Sequence, residues 1–303
     1  MDFEFHPGQN GSDPWVEFYP YNPSKPAGYA FVVIFGIATI AHLVLMFPYR
    51  AAYFIPMLLG GVCETFSYYG RAWSHNNRTL ISSWALQQML IMCAPPLVAA
   101  TIYMILGRII RACNAEHHSS IRTKWLTFIF VTNDVLCFLT QIFGAGVQVT
   151  GDAHIMSIGV KVVLVGLVFA LVVFAVFVWV AFQFHRRLKR DPTPVAYQNG
   201  GLHWERYMWA IYISCLALMI RNLVRTIEFG ASGSDLGKKE IYIYIFDAVM
   251  MFISMAVLIV WHPGLLIKRL RNMNKANEMY GPLEGETQSA DVPLTGYMAQ
   301  ERH

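Results

Sequence analysis

The chain has 303 residues, of which 55% are hydrophobic and only 14% charged, and its mean hydropathy is +0.41. A soluble domain carries about a quarter charged residues; here the charge is missing from long blocks and gathered between them, the profile of a polytopic helical membrane protein. The net charge of +4 comes without a basic stripe interleaved with aromatics, which argues against nucleic acid as a partner.

The N-terminus, MDFEFHPGQNGSDPW, lacks both a basic n-region and an apolar h-region. No cleaved signal peptide is expected, and the first span serves as its own signal. Seven segments are then long and apolar enough to cross about 30 Å of hydrocarbon. They lie near residues 28–47, 52–72, 81–106, 125–148, 155–184, 204–229 and 241–262. Backbone groups in a bilayer core must pair within their own segment, so these are helices. The alternation at ten-residue spacing that a barrel needs is absent. The expected organisation is an all-α seven-helix bundle over 28–265, preceded by an extracellular segment, 1–27. A polar, flexible cytoplasmic tail, 266–303, follows it.

Loop charges orient the bundle. One side holds Arg50, then Arg108, Arg111, Arg122 and Lys124, then Arg186, Arg187, Lys189 and Arg190, then Lys268, Arg269, Arg271 and Lys275. The other holds Lys25, Arg78, Lys238 and Lys239. The richer side is expected to be cytoplasmic, which puts the N-terminus outside and the C-terminus inside. Glycosylation sequons at Asn10 and Asn77 fall on the expected outside. The five cysteines, Cys63, Cys93, Cys113, Cys137 and Cys215, lie in or beside apolar blocks without a C-x-x-C, so they read as packing residues.

The charges inside the spans carry the functional signal. In the second span Glu64, Ser67, Tyr68 and Arg71 share one helix face, because seven residues at 100° each make nearly two turns. In the sixth, Arg221, Arg225 and Glu228 do the same at i, i+4, i+7. The seventh carries Tyr244 and Asp247, the fourth Asp134, Gln141 and Gln148, the third Gln87 and Gln88, the fifth Lys161. On the expected topology most of these lie in the outer half of the membrane, with Asp134 nearer the middle. A charge at mid-bilayer costs about 2.5–3.5 kcal/mol on insertion scales, so the groups face inward and pair. Arg71, Arg221, Arg225 and Lys161 stand against Glu64, Glu228 and Asp247, an excess of one positive charge. Two readings stay open: ion pairs that glue helices together, or the lining of a cavity for a polar head. The candidate binding residues are Glu64, Tyr68, Arg71, Gln88, Asp134, Gln141, Arg221, Arg225, Glu228, Tyr244 and Asp247. Pro95 and Pro96 interrupt the hydrogen-bond ladder of the third span and make either a hinge or a bend. His42 reads as a packed histidine, since no H-x-x-x-H or H-E-x-x-H accompanies it.

Several long blocks resemble one known family. They are YPYNPS at 19–24, ETFSYYGR at 64–71, CAPPLVAATIYMILGRII at 93–110 and FVTNDVLCFLTQIFGAGVQ at 130–148. IRNLVRTIEFGASG at 220–233, EIYIYIFDAVMM at 240–251 and WHPG at 261–264 follow. In this order they resemble the fungal RTA-like family, the lipid-translocating exporters, from about residue 18 to 265. The chain departs from the family at Asn133 and Ser67, where glycine is usual, and neither departure removes a charge. The resemblance implies a seven-helix protein of fungal membranes, tied to resistance against toxic lipids or drugs. The cargo it implies is an amphiphile: a sphingoid base, a sterol-like amine or a porphyrin. An amine head could pair with Glu64, Glu228 or Asp247. No P-loop, cofactor or metal site is expected, nor is enzymatic activity. The alternatives are a seven-helix receptor or lipid-stress sensor, which lacks D-R-Y and N-P-x-x-Y marks here, and an intramembrane metal hydrolase, which lacks converging ligands. The expected location is the plasma membrane, with the vacuole or another endomembrane as the alternative.

Overall fold

The computed structural model describes residues 4–6, 15–17, 21–76, 80–119, 121–148, 153–194, 204–230 and 239–280. Both sequons, Asn10 and Asn77, lie outside the described residues. A short antiparallel ladder pairs Glu4–His6 with Trp15–Glu17. The rest is helical: α1 Lys25–Tyr49, α2 Ile55–Ser74, α3 Ile81–Ala112, α4 Thr123–Gln148, α5 Ala153–Arg190 and α6 Trp204–Gly230. Helix α7 covers 240–260 as Glu240–Ile243, a π-helical stretch Tyr244–Val249, and Met250–Val260. Helix α8 is Pro263–Tyr280. The protein is an all-α, multi-pass membrane protein.

Helices α1 to α7 each pack on their neighbours in sequence, and α7 returns to α1, so the bundle closes on itself with α3 also touching α6 and α7, while the last helix packs on α3, α1 and α6. Helix α3 is the most enclosed. Two-thirds (67%) of its most apolar window is buried, against 17% for α1. Six helices are long and apolar enough to cross a membrane by length and composition. Helix α2 falls short because its polar stripe lowers its hydropathy, and that stripe is buried: Glu64, Ser67, Tyr68 and Arg71 are at most 1% exposed. Close packing puts it there. A Cβ at Gly70 would sit 3.1 Å from the Gln87 nitrogen on α3, and one at Gly61 would collide with Thr39 Oγ1 on α1. Small residues let helix backbones approach in this way without a hydrophobic driving force.

One expectation needs correction. The tail expected to be flexible from residue 266 begins as α8, because Leu266 and Leu270, spaced i, i+4, bury one face of it in the core. Residues 281–303 lie outside the described residues. The third helix contains the Pro95–Pro96 pair and continues to Ala112.

Candidate functional site

The buried ions meet at the end of the bundle that holds Tyr21 and the start of α7. Asp247 is the pivot. Its Oδ2 accepts a hydrogen bond from Arg225 Nη2 at 2.7 Å and its Oδ1 forms an ion pair with Arg221 Nε at 2.5 Å, the two arginines being one turn apart on α6. Arg225 also reaches Glu228 at 3.2 Å. Asp247 sits in the π-helical stretch of α7, a local widening that often marks functional sites.

Arg221 does a second job. Its Nη2 donates to the Ile91 carbonyl at 2.6 Å. In an unbroken helix that carbonyl would accept from the N–H of residue 95, but Pro95 has none. The proline pair therefore exposes an acceptor on α3, and an arginine from α6 fills it.

Arg71 pairs with Glu240 rather than with an acid on its own face. Its Nη2 donates to Glu240 Oε1 at 3.1 Å and to the Tyr21 hydroxyl at 2.9 Å, and its Nε donates to the Tyr244 hydroxyl at 3.1 Å. Glu240 Oε1 also accepts from Tyr244 at 2.9 Å and from the Ser24 amide at 2.7 Å, so one oxygen ties α1, α2 and α7 together. Aromatic rings floor this cluster: Tyr244 stacks on Phe31 at 5.2 Å and Tyr68 on Phe35 at 5.5 Å. Glu240 and Tyr21 are absent from the sequence-based candidates. Their signal was available for Glu240, which stands four residues before Tyr244 and seven before Asp247, the spacing seen on α6.

The charge balance changes sign. Lys161 is exposed on α5 and does not enter the network. With Glu240 added, Arg71, Arg221 and Arg225 face Glu64, Glu228, Glu240 and Asp247, an excess of one negative charge. Each guanidinium reaches a carboxylate. The carboxylate left over is Glu64. It is fully buried, and neither of its oxygens has a hydrogen-bond partner among the described residues.

Among the described residues, two cavities adjoin the charged clusters and a groove lies beyond them. A cavity of about 40 Å³ is lined by Pro95, Pro96, Asp134, Gln141, Arg221 and Asn222, among others. A water needs about 10–15 Å³ on this measure, so a few fit there. A second, of about 20 Å³, lies among Tyr21, Arg225, Glu228 and Asp247. The third is an apolar groove of about 420 Å³ between α4 and α5, lined by Leu136, Thr140, Ile158, Val165 and Phe169, with Lys161 as its cation. Cys137 lines both the groove and the first cavity.

Of the candidates, then, Arg221, Arg225, Glu228 and Asp247 join one ion-pair network, and Arg71 and Tyr244 join a second cluster with Glu240 beside it. Asp134 and Gln141 line the adjoining cavity, and Tyr68 packs in the aromatic floor. Gln88 is buried on α3 but lines none of these spaces. Glu64 also lines none of them. His42 is packed as expected, with Nε2 3.2 Å from the Met255 carbonyl and its ring on Phe54.

A family model described as RTA1 like protein matches residues 57–270. The chain belongs to the RTA1-like protein family. Among its relatives, Protein RTA1 of Saccharomyces cerevisiae is 28% identical over 306 residues, covering 92% of this chain and 95% of that protein. Protoporphyrin uptake protein 1 of the same organism is 28% identical over 279 residues, covering 80% and 90%. A Saccharomyces cerevisiae protein named sphingoid long-chain base transporter RSB1 is 26% identical over 271 residues, covering 78% and 71%. No solved structure matches this RTA1-like chain.

Proposed function

We propose that this protein is a transporter of amphiphiles rather than an enzyme, and that Glu64 seats the head of its cargo. The observation that carries the reading is the buried carboxylate left without a donor beside three paired arginines. An acceptor in such a place costs several kcal/mol unless something donates to it. A protonated amine or a hydroxyl-bearing head supplies that donor. Two relatives carry names that point to the same class of cargo, a sphingoid long-chain base and a porphyrin.

The remaining parts then have roles. Arg71, Arg221, Arg225, Glu228, Glu240, Tyr244 and Asp247 hold the frame. Asp134 and Gln141 line a hydrated path beside it, and the groove between α4 and α5 takes a hydrocarbon chain. Cavities of this size admit water but no head group, so cargo enters when α4 separates from α3 and α6. The Tyr21 end faces outside, the basic end faces the cytoplasm, and the membrane is the plasma membrane. The segment before α1 is extracellular, and residues 281–303 form a cytoplasmic tail.

The test is transbilayer movement of labelled amphiphiles in liposomes that hold the purified protein. Movement of a sphingoid base that depends on protein, and exceeds that of a zwitterionic phospholipid, is the expected result. Protein-independent movement of every amphiphile in the panel overturns the reading.

A further inference from the structure

At the opposite end of the bundle two imidazoles and a carboxylate converge. Helix α3 stops at Ala112, and Asn114, in the left-handed region at φ 51°, turns the chain into a short 3-10 turn, Glu116–His118. Asp191 follows the last turn of α5, held by its amide on the Arg187 carbonyl at 2.9 Å. Two hydrogen bonds stitch these segments together. Thr193 Oγ1 donates to the Cys113 carbonyl at 2.7 Å, and Arg187 Nη1 donates to the His118 carbonyl at 3.2 Å.

The side chains that result form a half-built coordination sphere. His118 is 9% exposed, and its buried Nε2 has no hydrogen-bond partner among the described residues. That nitrogen lies 3.9 Å from Asp191 Oδ2. The His117 ring is centred 3.9 Å from the His118 ring. One ligand atom from each of His117, His118 and Asp191 lies within 4.8 Å of the others.

We propose that His117, His118 and Asp191 bind a divalent transition metal, zinc by donor type, where the α3–α4 turn meets the end of α5. Two imidazole nitrogens and one carboxylate oxygen are a zinc donor set, with bonds of about 2.0–2.2 Å and water in the fourth position. Calcium and magnesium prefer oxygen-only shells. His118 is the fixed anchor. His117 and Asp191 are exposed and free to draw in by the ångström or so that tetrahedral bonding requires. The neighbouring arginines oppose a cation, but the site opens to solvent, which screens them. Arg187 is already committed to the His118 carbonyl. The metal clamps two segments that already touch, so it stabilises the folded bundle by linkage. The site is remote from the buried ions and does not depend on the transport reading.

The test uses tag-free, full-length protein in detergent, stripped with a chelator and titrated with zinc against a chromophoric competitor. The exposed positions give the fold-neutral variants, His117→Ala and Asp191→Asn. Each is expected to weaken binding by at least about tenfold. His118→Ala is expected to abolish binding. Zinc is expected to raise the thermal midpoint of the wild type, to raise that of Asp191→Asn less at the same concentration, and to leave that of His118→Ala unmoved. Equal zinc affinity in wild type, His117→Ala and Asp191→Asn would place the metal elsewhere among the ten histidines and overturn the proposal. So would a wild-type protein that retains no zinc against the competitor.

Discussion

At the end that holds Tyr21, three arginines and four carboxylates point into the protein. At the other end the described lysines and arginines point out of it, and the interior holds a stack of His42, Phe54, His262 and Tyr49. The first arrangement is expensive. Buried ions are tolerated only with good geometry and full pairing, and a purely structural bundle end can be built from rings and aliphatics, as the other end is. The charged end therefore carries more than structure requires. Its pairs account for the arginines and leave Glu64 over.

The sharpest way to break the contrast is to remove the pivot. Asp247→Ala leaves Arg221 without a carboxylate and Arg225 with Glu228 alone, and is expected to destabilise the protein by about 3–5 kcal/mol, read by unfolding in micelles. A smaller effect is expected where one pair has alternatives. Glu240→Gln leaves Arg71 with two tyrosine hydroxyls and should cost about 1.5–3 kcal/mol in the same assay.

The link between α3 and α6 allows a subtler test. Pro95→Ala returns an N–H to the Ile91 carbonyl and makes the Arg221 contact redundant. Arg221→Lys should then cost less in the Pro95→Ala background than in wild type. The expected coupling energy is about 0.5–3 kcal/mol in a double-mutant cycle. Additivity would mean that Arg221 does not serve the proline gap. The smallest effect is expected at the basic end. Lys189 and Glu205 form an exposed pair at 3.4 Å, and Lys189→Ala should change stability by less than about 0.5 kcal/mol.

What the sequence made legible follows from periodicity. Block length placed the seven long helices, and the seven-residue spacing of Glu64 and Arg71 put both on the buried face of α2. Partner choice was not legible. Whether Arg71 meets Glu64 or Glu240 depends on helix rotation and depth, which a repeat along one helix does not specify. Glu240 was also left one residue outside the seventh span. Lys161 followed the same logic in reverse: its helix was placed, but its face was not, and it looks outward. The π-helical stretch at Tyr244–Val249 left no mark in composition. Helix α8 did leave one, the spacing of Leu266 and Leu270, but a charged stretch after the last span reads as tail.

The central claim is that the unpaired carboxylate of Glu64 serves cargo rather than fold. The direct measurement is sphingoid-base translocation by wild type and Glu64→Gln in matched liposomes, with the unfolding midpoint of each taken alongside. The account predicts translocation reduced by at least about tenfold with stability unchanged or slightly raised, since the substitution removes a buried acid whose oxygens have no donor among the described residues. Unaltered translocation by a stable Glu64→Gln protein would contradict it.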